Sequence, residues 1–549
     1  MKIGFHLHHI DNKLKFAFLI IFLYFNTFVF SQADKARKTT QKFSTTLQLI
    51  EFGYVDSIDS PDLVEKAIIA MLKELDPHSA YIKAEDVKRL NEPLEAEFDG
   101  IGVTFQLFND TILVIAPVPG GPSDKLGILA GDKIIKINGE DAFGKKINNE
   151  YVMKLLRGKK GTSVDVSILR SGKDELIDFT IVRDKIPINS IDATYMAAPE
   201  IGYIKLTRFA KSSVQEFNES LSRLRAQGMK DLILDLRGNT GGYLNIAVDL
   251  ADQFLSDKKM IVYTEGLRSP KQEFFSTGSG DFLRGKLIVL INESSASASE
   301  IVSGAVQDWD RGLVVGRRSF GKGLVQRPFN LPDGAMIRLT TARYYTPSGR
   351  CIQKPYEHGE TEEYYKDLTK RLESGELVDS NSIELADSLK YFTSNGRVVY
   401  GGGGIIPDIF TPIDSTRFSD FYSDLVRKGI FNTYNLNYLE KNRKRVLKEY
   451  PNVESFKEKF IVTDEMYADF LDLAKEKNVE RKETEKYYYP DNDLKIQIKA
   501  LIARNLWDTN AYFRLINELD DELNVAVDLM QSGKAFTDLS GRAACRERV

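Results

Sequence analysis

The sequence predicts a multidomain α+β protein, with an α/β core in the middle of the chain and helical regions toward both ends. Its 549 residues exceed what one hydrophobic core normally supports, so we expect three or four domains. Continuous apolar strands alternate with amphipathic helices between about residues 185 and 413, which is typical of a layered α/β structure. Apolar residues recur at helical spacing near both ends of the chain, and this favours helices there.

The composition is that of an ordinary globular protein and argues against several classes of function. The chain is 42% hydrophobic and 28% charged, with a formal net charge of -4. Because it has no basic excess and no block rich in lysine and arginine, we expect no nucleic-acid partner. Its two cysteines make no disulfide framework. It also lacks an HExxH motif, a histidine cluster and a CxxC pair, so we expect no metal and no cofactor.

The first 33 residues have the layout of a secretory signal. Three lysines precede an apolar run at residues 16–30, and the next charge is Asp34. A basic start, a short apolar stretch and a small or polar exit are typical of a cleaved leader. An uncleaved anchor is the alternative, because residues 16–33 reach the roughly 18-residue lower limit for a spanning helix. We therefore expect a periplasmic or otherwise extracytoplasmic protein, either released or membrane-anchored.

Residues 34–97 are predicted to form a helical region without catalytic groups of its own. Ser60-Pro61-Asp62 resembles a capped helix start with proline in the first turn. Apolar residues then recur at helical spacing as far as Leu75, and Asp76-Pro77 ends the helix. The apolar faces belong either to a core or to a dimer surface.

Short strands and turns replace this pattern between residues 98 and 184. The run Gly100-Ile101-Gly102-Val103 leads into a strand, and AGDKIIKINGE places another at Lys133 to Ile137, before an Asn-Gly turn. These residues resemble a PDZ domain. Glycines let consecutive backbone N–H groups point at a C-terminal carboxylate, and a bound peptide adds a strand to the sheet edge. The resemblance implies that Gly100, Ile101, Gly102 and Val103 bind the tails of proteins or peptides.

Three segments of the central region carry candidate catalytic groups. The first, DLILDLRGNTGG, is a buried strand followed by a glycine-rich turn. The second places the serine-rich run SSASAS between the strand KLIVLI and a helix, and the third, GRRSFGKGLVQ, sets Lys322 between two glycines. Taken singly, each has a plain structural interpretation, as a tight turn, a capped helix start and a loop lysine.

Together these segments predict a serine nucleophile with a lysine base. A serine at a helix N-terminus meets free N–H groups and the positive end of the helix dipole. Only His78 and His358 follow the leader, so the base must be a lysine, whose pKa falls from ~10.4 when it is buried. Ser–Lys is a known nucleophile–base pair. Spacing alone does not choose among the four serines Ser294, Ser295, Ser297 and Ser299.

At this point the chain resembles the C-terminal processing, or tail-specific, serine peptidases. The resemblance runs from about residue 40 to residue 413. It rests on LDPHSAYI, the PDZ segment, DLRGNTGG, SASASEI, GKGLVQ and TTARYYTPSGRCIQ. It implies a core similar to those of crotonases and Clp-type peptidases with a PDZ domain attached. The activity implied is that of an endopeptidase that cuts proteins near their C-termini.

The resemblance also implies roles for individual residues. It assigns a nucleophile, a general base and a side chain that supports the base, which are Ser297, Lys322 and Gln326. The oxyanion hole uses the N–H groups of Ala298 and Gly242, with Gly241 as the less favoured second donor. Arg157, in LLRGKKG, resembles a PDZ arginine that senses the bound tail, although a surface arginine beside a turn is an equal alternative. A homodimer and a regulatory partner are further expectations.

These motifs divide the chain into five predicted regions. They are a leader or anchor (1–33), a helical region (34–97), a PDZ domain (98–184), a peptidase core (185–413, with a polar surface insertion at about 356–391) and a C-terminal helical region (414–549). A non-catalytic PDZ adaptor with a retired peptidase core is one alternative, but it predicts a disrupted Ser, Lys or Gln position and none is seen. A crotonase-type acyl-CoA enzyme is another, and the leader argues against it because CoA substrates are cytosolic.

Overall fold

The structure, a computed structural model, describes residues 34–108, 110–144, 147–383, 385–414, 419–483, 485 and 487–539. The predicted leader at residues 1–33 lies outside the described residues, as does Cys545. The chain divides into two compact units, Met1–Leu75 and Asp76–Val549. No helix in the described part of the chain is long and apolar enough to cross a membrane.

The first unit contains helix α1 (residues 34–53) and helix α2 (Ser60–Lys73). The cap of α2 is Asp59, one residue before the predicted position, because its carboxylate accepts a hydrogen bond from the N–H of Asp62 at 3.1 Å. Phe52 and Val55 are exposed.

The second unit begins with strand β1 (Ala80–Ile82) and helix α3 (Ala84–Glu95). The prediction of a helical region over residues 34–97 does not hold at β1, which pairs antiparallel with residues 336–338. The strand partner lies more than two hundred residues away, so local periodicity carries no signal for it. Residues 80–82 therefore belong to a sheet of the central region.

The predicted PDZ segment forms a six-stranded antiparallel sheet with the strand order β3-β4-β5-β7-β8, in which β6 pairs with β5. The strand at Lys133–Ile137 confirms the sequence prediction. The short strands β2 and β9 pair antiparallel with each other where the chain enters and leaves this sheet. The elements are β2 (Glu97–Gly100), β3 (Val103–Phe108), β4 (Thr111–Pro117), α4 (Pro122–Lys125), β5 (Lys133–Ile137), β6 (Glu140–Asp141), α5 (Asn149–Leu156), β7 (Ser163–Leu169), β8 (Ile177–Val182) and β9 (Asp184–Pro187).

The central region is built on a six-stranded sheet with the order β10-β11-β12-β15-β16-β21, parallel except for β10. A second, antiparallel sheet has the order β1-β18-β13-β14, with β17 paired to β18. The elements are β10 (Ile191–Ala198), β11 (Ile201–Leu206), α6 (Ser213–Ala226), β12 (Asp231–Asp235), α7 (Leu244–Asp252), β13 (Met260–Gly266), β14 (Ser269–Phe275), β15 (Leu287–Ile291), α8 (Ala298–Asp308), β16 (Leu313–Gly316), β17 (Leu324–Asn330), β18 (Met336–Tyr345), α9 (Thr361–Tyr365), α10 (Asp367–Glu373), β19 (Lys390–Phe392), β20 (Val398–Tyr400) and β21 (Ile409–Phe410).

The C-terminal region is helical, as predicted, but it falls into two parts. Helices α11 to α16 enclose a hydrophobic core of their own. Helix α17 instead packs on one face of the six-stranded sheet, opposite the face covered by α6, α7 and α8. The elements are α11 (Asp420–Arg427), α12 (Ile430–Glu449), α13 (Val453–Lys459), α14 (Asp464–Glu476), α15 (Asp491–Leu506), α16 (Thr509–Ile516), α17 (Asp521–Ser532) and α18 (Lys534–Leu539). The end of the chain thus completes the layered α/β core.

Candidate active site

Ser297 lies in the turn between β15 and α8, at the N-cap of α8. Its backbone has φ 57° and ψ -113°, a conformation that costs free energy for any residue with a side chain. Several hydrogen bonds hold it there: its N–H donates to Glu300 Oε2 at 2.8 Å, and its carbonyl accepts from Tyr344 Oη at 3.1 Å. The turn therefore holds a partly exposed serine in a strained and fixed conformation.

Two other serines of the SSASAS run, which are also candidates for the nucleophile in the sequence, use their hydroxyls in structural hydrogen bonds. Ser295 Oγ donates to the carbonyl of Leu236 at 2.8 Å, and Ser299 Oγ donates to the carbonyl of Asn239 at 2.8 Å. Both side chains are completely buried. Ser294 is partly buried, like Ser297, but does not occupy the N-cap. The geometry thus favours Ser297 among the four hydroxyls.

The glycine-rich turn after β12 lies directly against Ser297. Asn239 anchors it, because its side-chain Oδ1 accepts from the N–H of Gly241 at 2.9 Å and its own carbonyl accepts from Ala296 at 3.0 Å. Gly241 has φ 103°, and a Cβ built on it would lie 2.8 Å from Ser297 Cβ. Only a residue without a side chain fits this approach.

Two backbone N–H groups remain available beside Ser297. The N–H of Gly241 is already bonded to Asn239, whereas the N–H groups of Gly242 and Ala298 donate to no acceptor among the described residues. A Cβ on Gly241 would lie 3.0 Å from the nitrogen of Ala298, so this nitrogen and the turn are close together. This arrangement favours Gly242 over Gly241 as the second donor to an oxyanion.

Glu300 joins the serine turn to the lysine loop, a role that sequence reasoning missed. Its carboxylate is fully buried. Oε2 accepts from the N–H groups of Ser297 at 2.8 Å and Lys322 at 2.9 Å, and Oε1 accepts from Ser319 Oγ at 2.5 Å and the N–H of Gly321 at 2.7 Å. Burial raises the pKa of Glu300, although these four donors oppose that rise. Because one oxygen atom receives both N–H groups, the backbones of Ser297 and Lys322 lie next to each other.

The side chain of Lys322 lies in a partly buried place near other charges. Burial lowers the pKa of its ammonium below the ordinary value, Arg338 lowers it further, and Glu300 and Asp76 oppose the change. Among the residues that the structure describes, its Nζ has no hydrogen-bond or ion-pair partner. The lysine therefore has the environment of a base, but its amine does not hydrogen-bond the Ser297 hydroxyl in this conformation.

The predicted helper Gln326 points to a different partner. Its Nε2 donates to Thr340 Oγ1 at 3.4 Å, and Thr340 Oγ1 donates to Asp76 Oδ1 at 3.0 Å. Asp76 also accepts from the N–H groups of His78 and Ser79 at 2.8 and 2.9 Å. Gln326 thus connects the strand after Lys322 to the LDPHSAYI segment rather than to the lysine amine.

His78 is a second group near Lys322 that sequence reasoning did not place. Its Nε2 lies 3.0 Å from Tyr364 Oη. The pKa of His78 is lowered to about 4, mainly by burial and also by the charge of Lys322, while the charge of Asp76 opposes the change. The imidazole is therefore uncharged near neutral pH. The LDPHSAYI motif, which contains His78, is the sequence signal for this group. Only the fold shows that the motif lies beside the loop of Lys322, more than two hundred residues away.

The predicted surface insertion at 356–391 is in part a wall of the site. Tyr364 is only 4% exposed, and its ring meets that of Phe320 edge-on at 5.8 Å. Arg371 donates to the carbonyls of Arg318 at 2.6 Å and Ser319 at 3.2 Å. The expectation of a purely surface segment is wrong on this side, because its polar groups pair with the backbone just before Lys322.

In the PDZ loop, two carbonyl groups point into the protein. The Ile101 carbonyl accepts from the N–H and Oγ of Ser123 at 3.1 and 2.7 Å, and the Gly102 carbonyl accepts from the N–H of Val118 at 2.9 Å. Because peptide groups are planar and trans, the N–H groups of Gly102 and Val103 point the opposite way. Strand β3, which starts at Val103, is an edge of the PDZ sheet within the described strands. The loop thus has the geometry that tail binding requires.

Arg157 lies beside this loop and is half-buried. Its guanidinium donates to Glu92 Oε2 at 2.6 Å and lies 4.3 Å from the ring centroid of Phe98. Glu92 is on α3, one turn before Glu95, whose carboxylate accepts from Tyr243 Oη at 2.8 Å. Tyr243 follows Gly242 in the chain, so α3 connects the PDZ loop to the glycine-rich turn.

The residues around Ser297 can add a hydroxyl to a carbonyl group. Nucleophilic catalysis with oxyanion stabilisation uses a hydroxyl, an amine of lowered pKa and free N–H donors. Here these are the Ser297 hydroxyl, the amine of Lys322, whose backbone lies next to that of Ser297, and two N–H groups without an acceptor among the described residues. Within the described part of the chain, no group of three or more His, Cys, Asp or Glu side chains could hold a metal ion.

Comparison with known proteins identifies similar families along much of the chain. A model for peptidase family S41 matches residues 200–360, and a PDZ domain model matches residues 100–181. A model for the N-terminal domain of the activating protease CtpB matches residues 27–86, and a family of unknown function matches residues 421–508. Helices α11 to α15 thus resemble a family of unknown function.

Curated relatives and solved structures carry related names. The chain is 39% identical over 321 residues to a carboxy-terminal-processing protease of Bartonella bacilliformis, covering 58% of this chain and 73% of the relative. It is 34% identical over 332 residues to the carboxy-terminal processing protease CtpB of Bacillus subtilis, covering 59% and 68%. The structure of a photosystem II D1 C-terminal processing protease aligns at 28% identity with a TM-score of 0.33, covering 57% of this chain and 89% of that one.

Proposed function

The chain belongs to the carboxy-terminal-processing proteases of peptidase family S41, and we propose that it is a serine endopeptidase that cuts proteins near their C-termini. In this proposal Ser297 is the nucleophile, Lys322 is the general base, and the N–H groups of Ala298 and Gly242 form the oxyanion hole. The observation that carries the proposal is the Oε2 atom of Glu300, which accepts from the N–H groups of both Ser297 and Lys322. That shared oxygen keeps nucleophile and base adjacent.

The proposed reaction uses each of these groups in turn. Uncharged Lys322 takes the proton of Ser297 as Oγ attacks the substrate carbonyl, and the resulting oxyanion accepts hydrogen bonds from the two free N–H groups. The ammonium then donates its proton to the leaving amine. Water hydrolyses the acyl-enzyme with the same lysine as base. Burial supports this role, because it lowers the pKa of Lys322.

Before Lys322 can take the proton of Ser297, its side chain has to move so that Nζ hydrogen-bonds the Ser297 hydroxyl. Its Nζ bonds to no described residue, and catalytic hydrogen bonds often form only when substrate is bound. We place the trigger in the PDZ domain, where the substrate's carboxylate binds the N–H groups of Gly102 and Val103, and Arg157 senses it. The ion pair of Arg157 with Glu92 on α3 supports this role.

The remaining parts of the proposal concern assembly and location. We place the enzyme outside the cytoplasm, supported by the basic and apolar sequence before Asp34. We also propose a homodimer, supported by exposed Phe52 and Val55, and activity that responds to a regulatory partner. N-terminal sequencing of the mature chain and sedimentation of the purified protein test the first two statements.

One assay with matched variants tests the function. Wild type, Ser297→Ala, Lys322→Ala and Gln326→Ala act on a loosely folded protein with a free C-terminus, and Ser294→Ala is the control for a neighbouring hydroxyl. We expect Ser297→Ala and Lys322→Ala to lose cleavage by a factor of at least about a thousand while circular dichroism remains that of wild type. Full activity of Ser297→Ala would defeat the assignment.

A second arm tests tail recognition with the same substrate. Amidation of its C-terminus should slow the wild-type enzyme, because the N–H groups of the PDZ loop then lose their carboxylate. Arg157→Ala should reduce the difference between free and amidated tails. Equal rates on both substrates by the wild-type enzyme would count against carboxylate sensing.

A further inference from the structure

Helix α17 packs on the six-stranded sheet beside the strand ends that carry the site. Its buried residues Leu523, Ala526 and Met530 share a hydrophobic cluster with Ile233 of β12 and Leu290 of β15. These two strands lead directly into the glycine-rich turn and the Ser297 turn. The N-terminus of α17 therefore lies near the point from which both turns start.

Two carboxylates at this N-terminus reach an arginine at the start of the glycine-rich turn. Arg237 Nη1 donates to Asp520 Oδ1 at 2.8 Å and to Glu522 Oε2 at 2.9 Å, and Nη2 donates to Asp520 Oδ2 at 2.6 Å. The same guanidinium donates to both oxygens of Asp235, the last residue of β12, at 3.0 and 2.7 Å. The side chain of Arg237 is only 13% exposed. Its planar group is thus fixed from several sides.

Glu522 also reaches the other turn. It accepts a hydrogen bond from Arg317, which follows β16, and Arg317 Nε donates to Glu293 Oε2 at 2.9 Å. Glu293 lies in the segment between β15 and Ser297. The side chain of Arg317 is 6% exposed, so this connection too is shielded from water.

Two hydrogen bonds join the segment that contains Arg237 to the segment that precedes Ser297. The N–H of Gly238 donates to Asn292 Oδ1 at 2.9 Å, and Leu236 accepts from Ser295. A displacement of Arg237 would therefore move the glycine-rich turn and the Ser297 turn relative to each other. The N–H groups of an oxyanion hole must be held to within about 0.5 Å, so even a small displacement matters.

We propose that Asp520 and Glu522 are positioning residues for the oxyanion hole and the nucleophile. The inference rests on the proposed function for its kinetic readout. Both carboxylates lie outside residues 200–360, which the peptidase family model matches. They balance the charge of two nearly buried arginines, and without them each guanidinium would keep fewer acceptors and would move toward other ones. The end of this chain thus supplies a support for the active site.

Isosteric variants in the full-length protein test this inference. Asp520→Asn keeps an oxygen that can cap α17, where Asp520 accepts from the N–H of Leu523 at 3.1 Å, and Glu522→Gln keeps the shape of the side chain. Asp521→Asn is the matched control, because Asp521 lies between the two on the same helix, is exposed and loses the same charge. All are made in the full chain and assayed with the protein substrate.

The kinetic outcome separates positioning from general loss of folding. We expect the double variant Asp520→Asn/Glu522→Gln to lower kcat by about tenfold to a hundredfold, with KM within about twofold of wild type because the PDZ loop is unchanged. Asp521→Asn should match wild type. Restoring Glu522 alone in the double variant should recover part of kcat. A double variant with the kcat of the Asp521→Asn control would overturn the inference.

A second readout does not depend on activity. Hydrogen–deuterium exchange of peptides covering residues 237–243 and 292–298 should be faster in the double variant than in wild type and in Asp521→Asn. If the wild-type enzyme cuts no protein, the proposed function fails, and exchange alone decides the inference. Unchanged exchange in both peptides would refute it even if the enzyme is active.

Discussion

The nucleophile side and the base side of the site are held in different ways. On the nucleophile side, both backbone polar groups of Ser297 are hydrogen-bonded, and the glycine-rich turn is anchored by Asn239. On the base side, the N–H of Lys322 is bonded to Glu300, but its amine has no partner among the described residues. One side is therefore preorganised, and the other keeps freedom in the side chain of Lys322, the proposed base.

This difference suggests where control of activity is located. An oxyanion hole works by being in place before the reaction, so it gains from strain and close packing. A lysine base needs a lowered pKa, which depends on how well its surroundings exclude water. Bound substrate can complete those surroundings, so the activity of the lysine can depend on substrate. Variants of residues that hold Ser297 should lower kcat at every pH. Variants of residues near Lys322 should instead change the pH dependence of kcat.

The largest effect is expected from Gly241→Ala, which breaks the nucleophile side. The new Cβ would lie 2.8 Å from Ser297 Cβ and 2.9 Å from the Ala296 carbonyl, at a φ of 103°. We expect kcat to fall by more than about a hundredfold. Gly238→Ala is the control, since its φ is also positive, 73°, but no atom lies within 4 Å of the added Cβ. Equal kcat values for the two variants would contradict the close packing of turn and nucleophile.

Glu300→Gln tests the connection between the two sides and should have the next largest effect. The amide keeps one oxygen and puts an NH₂ group where the carboxylate accepts N–H donors, so about half of its four hydrogen bonds are lost. We expect a decrease in kcat of about tenfold to a hundredfold, measured at saturating substrate. A variant with wild-type kcat would show that the shared carboxylate does not hold nucleophile and base together.

Arg338→Gln should shift the pH dependence of kcat/KM and nothing else, because Arg338 acts on the site through its charge near Lys322. The positive charge of Arg338 lowers the pKa of Lys322, so its removal lets that pKa rise and reduces the uncharged fraction at any given pH. The alkaline-rising limb of kcat/KM should therefore move to higher pH. Arg327→Gln, an exposed arginine on β17, is the charge-matched control. A limb that stays in place, or moves to lower pH, would argue against Lys322 as the titrating base.

His78→Gln should change how the stability of the protein depends on pH. The pKa of His78 is about 4 in the folded protein and 6.5 in the unfolded chain. The folded state therefore binds fewer protons between these values, and its stability falls as pH decreases from 6.5 toward 4, by up to about 3 kcal/mol. The variant lacks this loss, so its melting temperature relative to wild type should improve on going from pH 7 to pH 5. A relative melting temperature that does not improve between pH 7 and pH 5 would contradict the burial of His78.

Those parts of the fold and site that depend on neighbouring residues could be predicted from the sequence. The apolar strand before SSASAS and the helix after it place the serine-rich run at a helix N-terminus, and in the structure Ser297 is the N-cap of that helix. The AGDKIIKINGE segment likewise predicts a strand and turn that β5 and β6 form. In both cases the signal lies within a dozen residues of the element it predicts.

Contacts between distant segments could not be predicted in this way. Asp76, His78 and Tyr364 meet near Lys322 only because β1 joins β18 and the 356–391 segment folds back on residues 318–320. The polar composition of that segment suggested a surface location, since pairing with a distant backbone leaves no periodic pattern. Helix α17 likewise has an ordinary amphipathic sequence, and nothing in it indicates that its first carboxylates bond Arg237.

The central claim, that Lys322 activates Ser297, is tested most directly by covalent labelling. Wild type and Lys322→Ala are treated with a fluorophosphonate over a range of pH, and the adduct is located by peptide mass spectrometry. The account predicts one adduct, on Ser297, whose rate rises with pH through a single ionisation below the usual lysine pKa of ~10.4. Lys322→Ala should label at least about a hundredfold more slowly. Labelling of Lys322→Ala at the wild-type rate, or an adduct on Ser294, would contradict it.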